Sequence, residues 1–210
     1  MKRTLTITAL TLATATALAG CAGQNSSSNS ANKPSQILTA ADINVDGVNG
    51  WAADPKASDA ANGLGSPQAP ACMRKTAAYL AAQTATHQEA SFKRTGMTFD
   101  ENLYTHLADA KAVFTQAKAL LNACPKTFTL GSSPAGFTPV NISSSLKQQA
   151  TYDFTVATAG QQIHAPITVT ALNATTFALF EFSSTDNKMT NPIELMNIAV
   201  TKIIQNAPSK

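Results

Sequence analysis

Ser144-Ser145-Leu146-Lys147 spells S-x-x-K, a pattern in which a lysine lowers the cost of deprotonating a serine for acyl transfer. The partner motifs of that chemistry, S-D-N and K-T-G, are absent, and the chain is short for the fold that carries them. In so Ser-rich a sequence the match reads as coincidence. Gly131-Ser132-Ser133-Pro134-Ala135-Gly136 lacks the G-x-S-x-G spacing, and its proline suits a turn better than a nucleophile elbow, so a loop is expected there. His87 and Glu89 would share one strand face, as two metal ligands could, but His106 and His164 stand at no ligand spacing. No phosphate-cradling G-x-x-x-x-G-K-S/T and no dinucleotide fingerprint occurs. No catalytic residue, metal or cofactor is assigned, and the chain is expected not to be an enzyme.

Cysteine is the remaining residue type with chemistry, and there are three. Met1-Lys2-Arg3 gives a positive start, and Leu5 to Ala17 is an uncharged apolar stretch too short to span a bilayer but suited to a secretory signal. Leu18-Ala19-Gly20-Cys21 follows at once. That tetrad resembles the lipobox of bacterial lipoproteins, which implies that Cys21 is acylated and becomes the first residue of the mature chain. Two or three acyl chains, each CH₂ contributing about 0.8 kcal/mol, hold a protein on a membrane stably. Residues 1–20 are thus expected to be a signal peptide. Residues 21–36, rich in Ser, Asn and Ala, read as the lipidated cysteine and a flexible tether. Cys72 and Cys124, 52 positions apart, remain. In an oxidising compartment an even remainder of two reads as a structural disulfide rather than two inert thiols.

Removing residues 1–20 takes Lys2 and Arg3 and brings the formal charge from +3 to one more basic than acidic residue. A near-neutral surface argues against nucleic acid as a partner. Residues 37–207 suffice for a single domain with its own core.

Elements follow from pattern. Thr39 is placed to cap a short helix with Asp42 in its first turn. Residues 44–70 hold four glycines and three prolines and read as irregular, with Trp51 as a plug over the core. Met73, Ala77 and Leu80 mark a helix from Ala71, with Cys72 in its first turn. His87–Thr95 and Met97–Leu107 alternate around Gly96 as a hairpin. Asp109 caps a helix whose stripe is Ala110, Val113, Phe114, Ala117, Leu120 and Leu121, ended by Cys124 and Pro125. Five strands are expected at Phe128–Leu130, Phe137–Ile142, Tyr152–Ala157, Ile163–Ala171 and Thr175–Ser183. Asn191-Pro192 opens a last helix with Ile193, Met196, Val200, Ile203 and Ile204 on one face. The sum is an α+β fold, a mostly antiparallel sheet with helices packed on one face.

The last hairpin supplies a candidate surface. Ile163, Ala165, Ile167, Val169 and Ala171 point one way and must face the core. A two-residue loop at Asn173-Ala174 sets Ile167 opposite Phe180 and Val169 opposite Ala178. Phe177, Leu179 and Glu181 then fall on the polar face beside His164, Thr168 and Thr170. Those four, His164, Phe177, Leu179 and Glu181, are candidate ligand contacts, unless the 44–70 loop and Trp51 cover them.

The Ile37-Leu38-Thr39-Ala40-Ala41-Asp42-Ile43 opening, Cys72 heading a helix, the helix through Phe114 and Ala117 to Cys124, and the closing Ile198-Ala199-Val200-Thr201-Lys202-Ile203-Ile204 form a set. Together they resemble the extracellular sensor domain of the mycobacterial Ser/Thr kinase PknH and the actinobacterial lipoproteins that carry the same domain. The resemblance covers residues 37–206. It implies an envelope-facing binding or sensing module; with an acylated Cys21, that module is expected to be lipid-anchored on the extracytoplasmic face of the cell membrane, with an unknown envelope ligand or protein as partner. A carrier of lipid or another hydrophobic envelope molecule is the alternative.

Overall fold

Alternation over Thr86–Arg94 and Met97–Thr105 produces a hairpin whose turn, Thr95-Gly96, places Gly96 at a φ of 73°. Glycine adopts that left-handed geometry at no steric cost. The computed structural model describes residues 36–44, 50–54, 64–141, 146–158, 161–184 and 190–206. In chain order these hold α1 (Ala40–Ile43), β1 (Ala52–Ala53), α2 (Ala71–Ala81), β2 (Thr86–Arg94), β3 (Met97–Thr105), α3 (Ala110–Asn122), β4 (Thr127–Leu130), β5 (Ser133–Val140), β6 (Gln149–Thr158), β7 (Gln161–Ala171), β8 (Phe177–Ser184) and α4 (Thr190–Gln205). The strands form one sheet of eight in the order β1-β2-β3-β8-β7-β6-β5-β4, antiparallel at every pairing.

The α+β class stands, but the helices divide between both faces of the sheet rather than packing on one. Consecutive side chains of a strand point to opposite faces, and β8 opens on an unbroken apolar run, Phe177-Ala178-Leu179-Phe180, buried throughout. Such a strand needs cover on both sides. Phe177 and Leu179 join Tyr104, Tyr152, Phe137, Ile167 and Val169 under α2 and α3. Ala178, Phe180 and Phe182 join Phe92, Phe99 and Leu103 under α1, α4 and Trp51.

Each helix is placed by its own pattern. Asp109 accepts from the Ala112 N–H at 3.0 Å and starts α3, whose buried stripe is Ala110, Val113, Phe114, Ala117 and Leu121. α3 packs beside α2, and a Cys72–Cys124 disulfide with Cα atoms 5.3 Å apart joins the start of α2 to the end of α3. α4 buries Leu195, Met196, Ala199, Val200 and Ile203, while Ile204, expected inside, is 57% exposed. β1 is an unforeseen element inside the irregular stretch. The expected loop at Gly131–Gly136 is instead a turn at Gly131-Ser132 followed by β5, in which Pro134 sits opposite Thr129. Gly136 there permits a close crossing, since a Cβ would meet Thr155 Oγ1 at 2.8 Å.

Candidate functional site

The turn between β7 and β8 decides where the four candidate ligand residues point. It holds three residues, Asn173, Ala174 and Thr175, not two: the Leu172 N–H donates to Thr176 O at 2.9 Å, and Ile167 lies opposite Glu181, Val169 opposite Leu179. Asn173 Oδ1 accepts from the Thr175 N–H at 2.9 Å, which closes the turn locally. The carbonyls of Ala174 and Thr175 accept from Ala110 and Leu107 N–H at 2.9 and 3.0 Å, so the approach to α3 holds the extra residue in place. One residue of register moves every side chain of a strand to the other face. Phe177, 0% exposed, and Leu179 are therefore core under α3, and the Phe177 ring meets Tyr104 at 5.9 Å. Glu181 shares their face; His164 lies on the other. Trp51 also lies on the other face and covers none of the three, packing on Phe182 with the Arg94 guanidinium 5.0 Å above its ring.

Around Glu181 the α2/α3 face turns polar. Ser91, Asp100 and Glu181 stand side by side on β2, β3 and β8, with Glu89 and Asn102 paired in the adjacent row. Glu181 Oε1 accepts from the Leu64 N–H at 2.9 Å. Burial pushes the Glu181 carboxyl up to about 7; the Leu64 bond opposes the shift, and the charges of Asp100 and Glu89 add to it. Burial raises Asp100 as well, with Ser91 holding it back and Glu89 and Asp54 adding. At the far end of the field His87 stacks on Tyr104 at 4.6 Å and pairs through Nε2 with Asn102 Oδ1 at 3.0 Å. Among the described residues no three of His, Cys, Asp and Glu are set to hold a metal ion. What the field can do is take up protons and accept hydrogen bonds.

The α1/α4 face carries another acid, more deeply buried than the half-buried Glu181. Glu101, 0% exposed, shares its strand face with Met97, Phe99 and Leu103. Its Oε2 accepts from the Leu38 N–H at 2.8 Å, and its Oε1 has no partner among the described residues. Burial pushes Glu101 up to about 7; the Leu38 bond and the Lys202 charge oppose this, and Asp42 adds to it. Asp42 accepts from the Thr39 N–H at 2.6 Å and from the Thr39 hydroxyl at 2.5 Å, and it takes the Lys202 ammonium as well. Farther along, His164 Nδ1 pairs with Asp153 Oδ2 at 2.8 Å, and the hydroxyls of Thr151 and Thr168 meet at 2.9 Å. Glu101 was legible in principle, because it shares the parity of Met97, Phe99 and Leu103, but a polar residue in an apolar series is easily assigned to the wet side.

Two recesses open on the surface among the described residues. An open groove of about 750 Å³ runs along the outer side of α4, lined by Asp42, Ile193, Asn197, Ile198, Thr201 and Lys202 among others. A recess of about 250 Å³ between α3 and the β5–β6 edge is lined by Lys118, Asn122, Asn141, Gln149 and Tyr152. Tyr152 donates its hydroxyl to Asn122 Oδ1 at 2.8 Å. Lys147 is exposed beside it, while Ser144 and Ser145 of the S-x-x-K match lie outside the described residues, as does Cys21.

Neither a protein-family model nor a curated protein matches the chain. Among solved structures, the crystal structure of the extracellular domain of PknH from Mycobacterium tuberculosis aligns with a TM-score of 0.54 at 11% identity, covering 81% of this chain and 92% of that one. The chain has the PknH extracellular fold. The resemblance drawn from its helix-edge patterns thus holds in three dimensions. Within this PknH-type fold the chain's own chemistry concentrates on β3 and β8, where Glu101 and Glu181 stand on opposite faces of the sheet.

Proposed function

We propose that this protein is a lipid-anchored, extracytoplasmic and non-enzymatic binding or sensor module of the cell envelope. The observation that carries the reading is the fold shared with the PknH extracellular domain over 92% of that domain. The lipobox at Leu18–Cys21 supports attachment by acylation, and no described helix is long and apolar enough to cross a membrane. Of the four ligand candidates, Phe177 and Leu179 are spent on the core. Glu181 and His164 remain as polar contacts on separate faces.

The test is made in an actinobacterial host on the full chain. The parent should be labelled by a palmitate analogue and partition into the detergent phase, and Cys21→Ser should lose both properties. Maturation and partitioning of Cys21→Ser like the parent would overturn the anchor. Native mass spectrometry of the detergent-extracted protein addresses the role: a stoichiometric co-purifying lipid would replace the sensor reading with that of a carrier.

A further inference from the structure

The segment leading into the domain touches both faces of the sheet. Leu38, Ile43 and Trp51 belong to the α1/α4 core, Ala52-Ala53 pairs along the β2 edge, and Leu64 and Ala69 belong to the α2/α3 core. On each face its backbone is tied to the sheet by one glutamate. Glu101 takes the Leu38 N–H on one side, and Glu181 takes the Leu64 N–H on the other, across 63 and 117 residues of sequence. Both ties run from an interior strand, β3 or β8, to a segment without regular structure at the point of contact. Among the described residues neither glutamate has a cation of its own. Facing Glu101 are Lys202 of α4, already held by Asp42 of α1, and the uncharged side chains Ala90 and Phe92 of β2 and Phe180 of β8. Facing Glu181 are Asp100 of β3 and Glu89 of β2; β7 offers Ile167, and residues 64–70 carry no charge. Nearby, Lys93 is paired with Asp54 at 2.9 Å, and Arg74 of α2 donates to Pro67 O at 3.3 Å.

We infer that residues 36–44 and 64–70 act as a proton-controlled strap, closed over the two faces while Glu101 and Glu181 are neutral and loosened when they ionise. A neutral carboxyl accepts the backbone N–H without placing a charge in the core. An ionised one keeps the bond but holds a charge away from water without a described cation of its own, and opening the strap lets water reach it. Each glutamate titrates near 7 when covered and near 4.5 when exposed. The sign follows from linkage: the covered state binds more protons between these values, so the opening equilibrium grows by about one decade per pH unit across that window and levels off above it.

Hydrogen exchange of the full chain, corrected for intrinsic rates, tests this. Protection of the peptides containing Leu38 and Leu64 should fall at least about tenfold between pH 5 and pH 7, while β3 and β8 stay protected. Glu101→Gln keeps the acceptor and removes the charge, so it should abolish the pH dependence at Leu38 and leave that at Leu64; Glu181→Gln should do the reverse. Flat protection in the parent, which needs no variant to fold, would overturn the inference. So would a pH dependence at Leu38 that survives Glu101→Gln, or one at Leu64 that survives Glu181→Gln.

Discussion

The two faces of the sheet are closed by different chemistry. Under α2 and α3 the cover is covalent and apolar: a disulfide ties the two helices, and aromatic pairs run beneath them, Tyr104 with Phe177, Phe137 with Tyr152 at 5.0 Å and Phe128 with Phe154 at 5.9 Å. Under α1 and α4 there is also an aromatic row, Phe92, Phe99 and Phe180. There, however, the four-residue α1 is held by polar contacts, the Asp42–Lys202 pair and the Leu38–Glu101 bond. Dispersion and a cross-link respond little to solvent, whereas a buried acid and an ion pair respond to pH. The helices of one face are locked by a cross-link, with the Glu181–Leu64 tie as its pH-responsive contact, whereas on the other face the helix cover itself hangs on groups that answer to pH.

The largest effect should come from breaking the fixed face. Phe177→Ala costs about 3–5 kcal/mol and Leu179→Ala about 2–5, together comparable with the whole stability of a domain. The double variant should lose its cooperative thermal transition by circular dichroism. A near-parental melt would mean that these side chains are not core and would restore them as surface contacts.

Next is the disulfide. Replacing Cys72 and Cys124 by serine should cost about 4 kcal/mol or somewhat less, since the closed loop exceeds 50 residues and native strain reduces the gain. Urea titration should show a lower midpoint, with exchange rising first in α2 and α3. If loss of the bond instead loosened residues 36–44, the two faces would not be independent.

The third prediction uses the titration of both acids. Glu101 and Glu181 are raised from 4.5 to about 7, so their stabilising neutral forms are present at acid pH and are lost as pH rises between those values. Global stability should fall from pH 5 to pH 8 by on the order of 2–3 kcal/mol for each acid. Glu101→Gln with Glu181→Gln should flatten the profile. A protein more stable at pH 8 than at pH 5 would contradict the burial of either charge.

Much of this arrangement was legible in the residues. The β2–β3 hairpin, the α3 stripe and the Thr39–Asp42 cap rest on local spacing, which survives folding, and the Cys72–Cys124 pair on the count of cysteines left once Cys21 is set aside. The candidate ligand face did not, because it hung on the number of residues in one turn. Nothing in Asn173-Ala174-Thr175 alone selects three over two; the choice is made by the carbonyls of Ala174 and Thr175 meeting Ala110 and Leu107. Helices on both faces were missed for a related reason. The unbroken apolar run Phe177-Ala178-Leu179-Phe180 was read as one inner and one outer series, although a run with no polar alternate signals a strand buried on both sides. β1 was hidden because two alanines carry no periodicity.

The smallest effect bears on how the responsive face is tuned. Asp42 faces two opposing influences: burial would raise its pKa, but the Lys202 contact and the bonds from Thr39 outweigh it and lower the pKa below 3.8. Its contribution is therefore present above pH 3.8 and lost as pH falls through the lower folded value, the opposite sense to Glu101. Asp42→Asn retains an oxygen for the Thr39 N–H and hydroxyl, and for a half-buried pair still in reach of solvent the loss should stay on the order of 1 kcal/mol. Its effect on Glu101 should be clearer than its effect on stability. Removing the Asp42 charge takes away a neighbour that raises Glu101 and frees Lys202, which lowers it, so both changes push the Glu101 titration down. The midpoint for loss of Leu38 protection, or of the Glu101 carboxyl shift by NMR, should move to lower pH while the midpoint at Leu64 stays put. A midpoint that held still or moved upward would show that Lys202 and Asp42 do not set the pH at which this face opens.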